Sequence, residues 1–261
     1  MFAFLKTHLR QMRRDGKAVG LINGLAYLNY QAKNLKDWLA AGRMSRLLAK
    51  RAFHTGTEDL VRFTMREGGG AIRPLQHPWE IGELMKRVRA RQPRVILEIG
   101  TAKGGTLFLF CQHAAEDATI ISLDLPYGRN GGGYPRWKEK LYRAFARPGQ
   151  TLHLVRANSH LSETRRLVEH LLQGRPIDVL MIDADHSYEG VRRDYELYTP
   201  LLAVDGLVAL HDVIPNRFDP EIEVHRFWDE LKARHPAEEL VADYAQGNLG
   251  IGIVRPRRTP A

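Results

Sequence analysis

From about residue 72 onward, short apolar runs alternate with segments in which apolar residues recur every three or four positions. The short runs are typical of buried strands in a parallel sheet, and the longer periodicity predicts the helices that cover it. We therefore predict an α/β fold. The predicted strands are residues 95–99, 119–123, 152–155, 179–182 and 206–210, with two more between 240 and 254 around Gly247. The predicted helices are residues 77–91, 107–111, 137–146, 161–172, 188–198 and 224–233.

The first strand leads into a glycine-rich turn, V-I-L-E-I-G-T-A-K-G-G-T at residues 95–106. Glycine allows the backbone to turn sharply and approach a ligand, and the first N–H groups of the following helix can bind that ligand. A carboxylate suits hydroxyl, amine or water ligands better than phosphate, and the turn departs from the G-x-G-x-x-G pattern of dinucleotide sites. The turn predicts a nucleotide-like site formed by Glu98, Gly100, Thr101, Gly104 and Gly105.

Polar residues also follow the other predicted strands. Ligands bind beyond the carboxyl ends of parallel strands, so these residues are expected to lie around one site. Asp124 ends the second strand, where its carboxylate can accept both hydroxyls of a ribose or cap a turn. The remaining strand-end residues are Asn158, Ser159, Asp183, Asp185, His186, His211 and Asp212.

Four ordered motifs resemble class I S-adenosylmethionine (SAM)-dependent methyltransferases. The chain is most similar to the branch grouped with cephalosporin hydroxylase-like and macrolide or sugar O-methyltransferases. The motifs are the glycine turn, I-I-S-L-D-L-P with G-G-G-Y-P-R-W, M-I-D-A-D-H-S-Y-E-G-V-R-R-D, and Y-T-P-L-L-A-V-D-G-L-V-A-L-H-D-V. They cover residues 72–254 and imply a Rossmann-like, seven-stranded, mostly parallel sheet whose last strand is antiparallel.

The resemblance also implies where SAM binds. The methionine part would lie at residues 98–105, and the ribose would lie on Asp124 with Leu125 beside it. Adenine would lie near Asn158 and Ser159, although many relatives have Asp at position 158. Asp183 completes the implied cofactor site.

His186 is the candidate base for methyl transfer. Its ordinary pKa of about 6.5 suits proton transfer near neutrality, and it follows a strand end beside two carboxylates. Related catechol-type enzymes carry lysine in this neighbourhood, so the match is one of position only. The alternative is that His186 caps the helix that begins near Tyr188. Asp185 and His211 complete the candidate catalytic set.

Catechol-like relatives hold a divalent cation after the fourth and fifth strands, where Asp183, His211 and Asp212 stand in this chain. Carboxylates suit Mg²⁺, whereas a histidine nitrogen suits Mn²⁺, Fe²⁺ or Zn²⁺ better. The resemblance therefore implies a metal site as one alternative. Without a metal, His211 could itself be a base oriented by Asp212.

The acceptor atom is expected to be an oxygen of a small molecule, sugar or glycan precursor. Methylation of the amino group of a nucleic-acid base usually goes with a Pro-Pro-aromatic motif after the fourth strand, and that motif is missing here. Methylation of cytosine C5 needs a nucleophilic cysteine, whereas Cys111 lies within a predicted helix as a small apolar residue. Nucleic acid is therefore not an expected substrate. Two alternatives stay open: a cephalosporin hydroxylase-like oxygenase, and a non-catalytic SAM-binding protein at an anionic surface. The loop at residues 127–137 is either a lid over the substrate or a tight surface loop.

Charge divides the chain unevenly. Residues 1–55 carry eleven Lys or Arg against two Asp, which accounts for the whole net charge of +9. Together with helical periodicity at its start, this predicts a helical basic N-terminal extension over residues 1–71 and a methyltransferase domain over residues 72–261. The basic face could contact an anionic membrane, or the extension could pack on the domain or on a second subunit of a homo-oligomer. A single cysteine and no run of about 18 apolar residues favour a cytoplasmic protein.

Overall fold

The apolar runs form strands of one sheet in the computed structural model, which describes residues 38–49, 56–126 and 133–256. The strand order is β3-β2-β1-β4-β5-β7-β6, and β7 runs antiparallel to both of its neighbours. The expected seven-stranded, mostly parallel sheet is thereby confirmed. The strands are β1 (Val95–Ile99), β2 (Thr119–Asp124), β3 (Thr151–Arg156), β4 (Ile177–Ile182), β5 (Leu202–His211), β6 (Ala237–Leu240) and β7 (Ile251–Val254).

Helices cover both faces of this sheet, because side chains of each buried strand alternate between two cores. On β1, Ile96 faces one core, and Val95 and Leu97 face the other. The first core contains residues of α1 to α5, and the second contains residues of α6 to α8. The helices are α1 (the helical residues 38–49), α2 (Thr57–Arg66), α3 (Pro78–Arg91), α4 (Gly105–His113), α5 (Glu139–Arg143), α6 (Ser162–Leu172), α7 (Tyr188–Tyr198) and α8 (Val224–Arg234).

The described part of the predicted N-terminal extension packs on the sheet domain. Met44 of α1 is fully buried in the first core, and the Phe63 ring of α2 lies 5.4 Å from the Phe108 ring of α4. These contacts agree with the packing alternative for residues 38–49 and 56–71. The rest of the basic segment lies outside the described residues, so membrane contact through residues 1–55 stays a prediction, as do the domain boundary and a homo-oligomer.

The end of the chain differs from the prediction. β6 ends at Leu240, where the first of the two final strands was expected to begin, and residues 241–250 form a connection that contains a short 3-10 helix at Tyr244–Gln246. β6 was missed because it is an edge strand with the sequence A-E-E-L, whose charged side chains hide the strand pattern. Glu238 of β6 pairs with Arg87, and Glu239 accepts a hydrogen bond from Trp228.

Two further expectations concern loops and membranes. Residues 127–132 of the predicted lid lie outside the described part of the chain, whereas Tyr134 is buried with its ring centroid 4.8 Å from that of Tyr142. The inward packing of Tyr134 agrees with a tight loop at that position. Among the helices described, none has the length and apolar character needed to cross a bilayer.

Candidate functional site

A cavity of about 910 Å³ lies at the carboxyl ends of the parallel strands. It spans the ends of β1 and β4, where the strand order reverses, which is the usual ligand position in such sheets. Two residues of the predicted site, Glu98 and Gly104, do not line it. The predicted residues that do are Gly100, Thr101, Gly105, Asp124, Leu125, Asn158, Ser159, Asp183, Asp185, His186, His211 and Asp212.

The Asp124 carboxylate organises the glycine turn. Oδ2 accepts the backbone N–H groups of Thr101 and Ala102 at 3.0 and 2.7 Å, and Oδ1 accepts the N–H of Gly133 at 3.0 Å. Burial raises the pKa of Asp124, and these N–H groups oppose that rise. Oδ2 already accepts two N–H groups and Oδ1 accepts one, so the predicted ribose contact would fall on Oδ1.

Glu98 lies beneath the turn and is fully buried. Its Oε2 accepts the Thr101 hydroxyl at 2.7 Å, and Thr101 Oγ1 lies 2.6 Å from Ser122 Oγ. Burial raises the pKa of Glu98 well above its ordinary range, opposed by the Thr101 hydrogen bond and reinforced by the negative charge of Asp124. Its Oε1 has no hydrogen-bonding partner among the described residues. Because Glu98 does not line the cavity, its described role is to support the turn from beneath through Thr101.

The turn glycines are required by the protein's own packing. A Cβ on Gly100, whose φ is +93°, would lie 1.9 Å from the carbonyl oxygen of Asp183. A Cβ on Gly105 would lie 2.2 Å from the carbonyl oxygen of Ile72, and one on Gly104 would meet the Tyr142 ring at 2.7 Å. The sequence pattern indicated close approach to a ligand, and the close approach seen here is to neighbouring segments of the chain.

We expect Gly100→Ala to lower the free energy of unfolding by about 2–5 kcal/mol, because backbone strain and steric overlap add. Gly174→Ala is the matched control, since Gly174 also has a positive φ, +76°, but a Cβ there would meet nothing within 4 Å. The control should lose only about 1–2 kcal/mol. Urea unfolding of both variants measures the difference, and equal losses would contradict the steric explanation.

Four titratable side chains meet at the ends of β4 and β5. His186 Nδ1 lies 2.6 Å from Asp212 Oδ2, and its Nε2 lies 3.9 Å from Asp183 Oδ1. His211 Nδ1 lies 3.2 Å from Asp183 Oδ1 and 3.4 Å from Asp212 Oδ2. These contacts are close enough for ion pairs, yet neither ring nitrogen of His211 forms a hydrogen bond with a described residue. We call Asp183, His186, His211 and Asp212 the carboxylate–histidine cluster.

The charges of this cluster stabilise one another. Burial opposes charge on His211, but Asp183 and Asp212 outweigh it and raise the pKa of His211 well above its ordinary value. For His186, burial is likewise outweighed by the hydrogen bond to Asp212 and the nearby carboxylates, so its pKa is raised. Burial would raise the pKa of Asp212, but the two histidines lower it. The cluster therefore couples acidic and basic groups at the cavity surface.

Asp185, predicted with the catalytic residues, lines the cavity and contacts the start of α7. Its Oδ1 accepts both the backbone N–H and the hydroxyl of Ser187 at 3.1 and 2.7 Å, and Ser187 caps α7. Within the described contacts Asp185 therefore shapes the start of a helix. The sequence left open that His186 caps this helix. In the structure Ser187 is the capping residue, because its side chain accepts the backbone N–H of Gly190.

Sequence reasoning missed several residues at the site. Gln76 bridges it: Oε1 accepts the Thr106 hydroxyl and Nε2 donates to Asp183 Oδ2, both at 3.0 Å. Gln76 follows no strand, and no pattern in the sequence marks it. Leu249 also lines the cavity, with a φ of +65° that the residue type does not indicate.

Backbone strain concentrates around this cavity. Ala102, Asp212 and Leu249 have φ values of +45°, +59° and +65°, and all three line the cavity. Non-glycine residues in this region store strain that surrounding contacts must hold, and such residues cluster at functional sites. The strain thus supports the functional assignment of the cavity independently of the sequence motifs.

The cavity and the sheet order define the fold of a SAM-dependent methyltransferase. Comparison with known proteins agrees, since residues 97–213 match the family described as "Methyltransferase domain". An uncharacterized protein, y4gI, of Sinorhizobium fredii is 28% identical over an alignment of 170 residues, which covers 62% of this chain. The match spans only 18% of the length of that relative.

Solved structures share the fold at low identity. An O-methyltransferase from Bacillus cereus in complex with S-adenosylhomocysteine (SAH) is 18% identical, with a TM-score of 0.51 over 80% of this chain and 96% of that one. A protein from Staphylococcus aureus, provisionally assigned as a caffeoyl-CoA O-methyltransferase, is 16% identical, with a TM-score of 0.52 over 77% and 92% of the two chains. Residues 97–213 therefore match a methyltransferase domain, and the solved structures show that the chain has the fold of these O-methyltransferases.

Proposed function

We propose that this methyltransferase transfers the methyl group of SAM to an oxygen of a small molecule, sugar or glycan precursor, with His186 as the base. The observation that carries the proposal is the His186–Asp212 pair at the cavity surface, with 2.6 Å between Nδ1 and Oδ2. The two solved structures described above are assigned as O-methyltransferases, which supports oxygen as the acceptor atom. The volume of about 910 Å³ lies near the upper end of the range for ligand sites, which favours room for a cofactor and an acceptor.

The His186–Asp212 pair supports a general-base role. Asp212 accepting the Nδ1 proton leaves the Nε2 lone pair of His186 available, as in other histidine–carboxylate pairs. Nε2 lies 3.9 Å from Asp183 Oδ1, beyond hydrogen-bonding distance, so it is free to take a proton from an acceptor hydroxyl. SAM supplies an activated methyl group when bound. The chain has then to orient the acceptor and remove its proton.

The residues present also fit a divalent cation. Ligand atoms of Asp183, His186 and Asp212 lie within 4.8 Å of one another. The prediction assigned His211 in place of His186, and the unpartnered nitrogens of His211 beside both carboxylates support that assignment. In the proposed arrangement Asp183, His211 and Asp212 hold the cation and His186 stays free as the base. A cation there would act as a Lewis acid on the acceptor oxygen.

The test is transfer of a radiolabelled methyl group from SAM to a panel of catechols, phenols, hexoses and nucleotide sugars. We expect label in an ether-linked product for at least one class, together with stoichiometric SAH. Label that appears only on nitrogen or carbon, or no transfer to any hydroxyl of the panel, would contradict the proposal.

Metal dependence is a separate prediction. We expect exhaustive chelation to abolish transfer, Mg²⁺ or Mn²⁺ to restore it, and Asp183→Asn and His211→Ala to weaken Mn²⁺ binding by at least about tenfold. The matched control is Asp178→Asn at the opposite end of β4, where Oδ2 accepts the backbone N–H groups of Arg94 and Val95 at 2.7 and 2.9 Å. Isothermal titration with Mn²⁺ measures the affinities. Full activity after chelation would remove the metal from the mechanism.

A further inference from the structure

Two residues with strained backbone lie on neighbouring connections at one side of the cavity. Asp212, directly after β5, has a φ of +59°, and Leu249, shortly before β7, has a φ of +65°. Both residues line the cavity. Residues other than glycine keep such φ values only where surrounding contacts fix them. The contacts that fix these two residues therefore belong to the machinery of the site, even where they lie outside the cavity.

The two connections are joined by backbone hydrogen bonds. The Val213 N–H donates to the carbonyl of Gly250 at 3.4 Å. The Ile214 N–H donates to the carbonyl of Leu249 at 3.1 Å. These bonds extend the antiparallel pairing of β5 with β7 beyond the ends of the two strands. Because Val213 directly follows Asp212, the position of Asp212 depends on the connection that precedes β7.

That connection is held by one buried carboxylate, Glu80, in the first turn of α3. Glu80 Oε1 accepts hydrogen bonds from the backbone N–H of Ala242 at 3.1 Å and from Gln246 Nε2 at 2.9 Å. Its Oε2 accepts the backbone N–H of Gly250 at 3.0 Å. Glu80 is fully buried, yet it does not line the cavity. These donors compensate the buried carboxylate, and the first turn of a helix also favours negative charge.

Gly250 links Glu80 to the carboxylate–histidine cluster. Its N–H donates to Glu80, while its carbonyl accepts the Val213 N–H. A Cβ on Gly250, whose φ is +85°, would lie 2.9 Å from a side chain of the connection after β5, so the two connections are closely packed. A shift at Gly250 should therefore move Asp212. Asp212 Oδ2 lies 2.6 Å from His186 Nδ1, so such a movement would turn the imidazole.

We propose that Glu80 is a positioning residue for methyl transfer. From outside the cavity it holds the strained backbone at Asp212 and Leu249, and through Asp212 it sets the orientation of His186. Its effect passes through the backbone, because its side chain does not reach the cavity. The inference rests on the proposed role of the His186–Asp212 pair, but the restraint on the backbone can be measured without turnover.

The first test is hydrogen–deuterium exchange of the full chain, unmodified and with Glu80→Gln. The variant keeps the shape of the side chain, but it replaces one acceptor oxygen with an NH₂ group that would face an N–H donor. We expect exchange at least about tenfold faster in residues 212–217 and 247–251, because a hydrogen bond to a charged group is lost there. The strand and glycine turn at residues 95–106 should exchange as in the unmodified protein.

Two further variants make this test specific. Glu83→Gln is the matched control, because Glu83 lies on the same helix but pairs with Lys86 and Arg87 at 2.9 Å, and it should leave exchange unchanged. Gln246→Ala removes one donor to Glu80 and should give a smaller rise, about threefold, in the same two segments. It decides the outcome if Glu80→Gln does not fold. Unchanged exchange in both segments, or an equal rise in the glycine turn, would overturn the proposal.

Turnover separates positioning from a purely structural role. With any hydroxyl acceptor that the unmodified protein methylates, kcat of Glu80→Gln should fall by at least about tenfold, because small displacements of catalytic groups are costly. SAH affinity should change by less than about threefold. Loss of folded protein would instead lower kcat and the number of SAH sites together, and this result or an unchanged kcat would overturn the proposal. If no hydroxyl is methylated, exchange still shows whether Glu80 restrains the backbone, so the two failures are distinguishable.

Discussion

Replacing Asp124 with alanine should weaken SAH binding by at least about 100-fold, since two kinds of contact are lost together. The variant removes the acceptor of three backbone N–H groups, from Thr101, Ala102 and Gly133, and with it the order of the glycine turn. It also removes the carboxylate predicted to hold the ribose. Each hydrogen bond to a charged group contributes about 1.5–3 kcal/mol, so the loss of two such contacts is enough for the expected change.

Asp178→Ala separates this effect from simple destabilisation. Asp178 also accepts two backbone N–H groups, but it lies at the other end of the sheet from the cavity. We expect the two variants to lose comparable stability in urea, with SAH affinity lost only in Asp124→Ala. Isothermal titration of both proteins measures this, and unchanged affinity in Asp124→Ala would remove Asp124 from the cofactor site.

The sheet was predictable because its inner strands are buried on both faces. β1, β2 and β4 are mostly apolar and almost wholly buried, so the apolar pattern of the sequence marks their positions. β6 could not be found in this way, because its sequence A-E-E-L contains no apolar run. The sequence therefore predicted the two final strands too close together, on either side of Gly247, whereas β6 ends at Leu240 and β7 begins at Ile251.

The site was predictable only at the ends of strands. Asp124, Asp183 and Asp212 follow buried runs, and a parallel sheet brings such positions together whatever the loops do. Gln76 and Leu249 reach the cavity from connections whose course depends on tertiary contacts, so nothing local in the sequence marks them. Glu80 could not be assigned a role either, because the three N–H groups that it accepts lie 162 to 170 positions later in the chain.

The structure also gives a different reason for the glycines of the turn at residues 100–105 than the sequence suggested. The pattern G-T-A-K-G-G indicated ligand approach, and sequence alone could not separate this from close approach within the chain. Gly100 and Gly105 meet the backbone of Asp183 and Ile72, which fixes Asp183 against the turn. Packing of the turn and geometry of the carboxylate–histidine cluster are therefore linked, and a change in one should disturb the other.

The largest effect on turnover is expected for His186→Ala. General-base catalysis contributes about 10²- to 10⁴-fold, so kcat should fall by that range with any hydroxyl acceptor that the unmodified protein methylates. SAH affinity should change by less than about threefold, because His186 is assigned to the acceptor and not to the cofactor. The cavity left by the side chain lies at the surface of the site, so added imidazole should restore part of the rate.

Mn²⁺ titration of His186→Ala decides between the two roles that the cluster allows for this histidine. If His186 is the base, Mn²⁺ affinity should persist in the variant and fall instead in His211→Ala, whose ring lies 3.2 Å from Asp183 and 3.4 Å from Asp212. Loss of Mn²⁺ binding in His186→Ala would make His186 a metal ligand, as the grouping of Asp183, His186 and Asp212 within 4.8 Å permits. Full turnover in His186→Ala would instead move the base to His211.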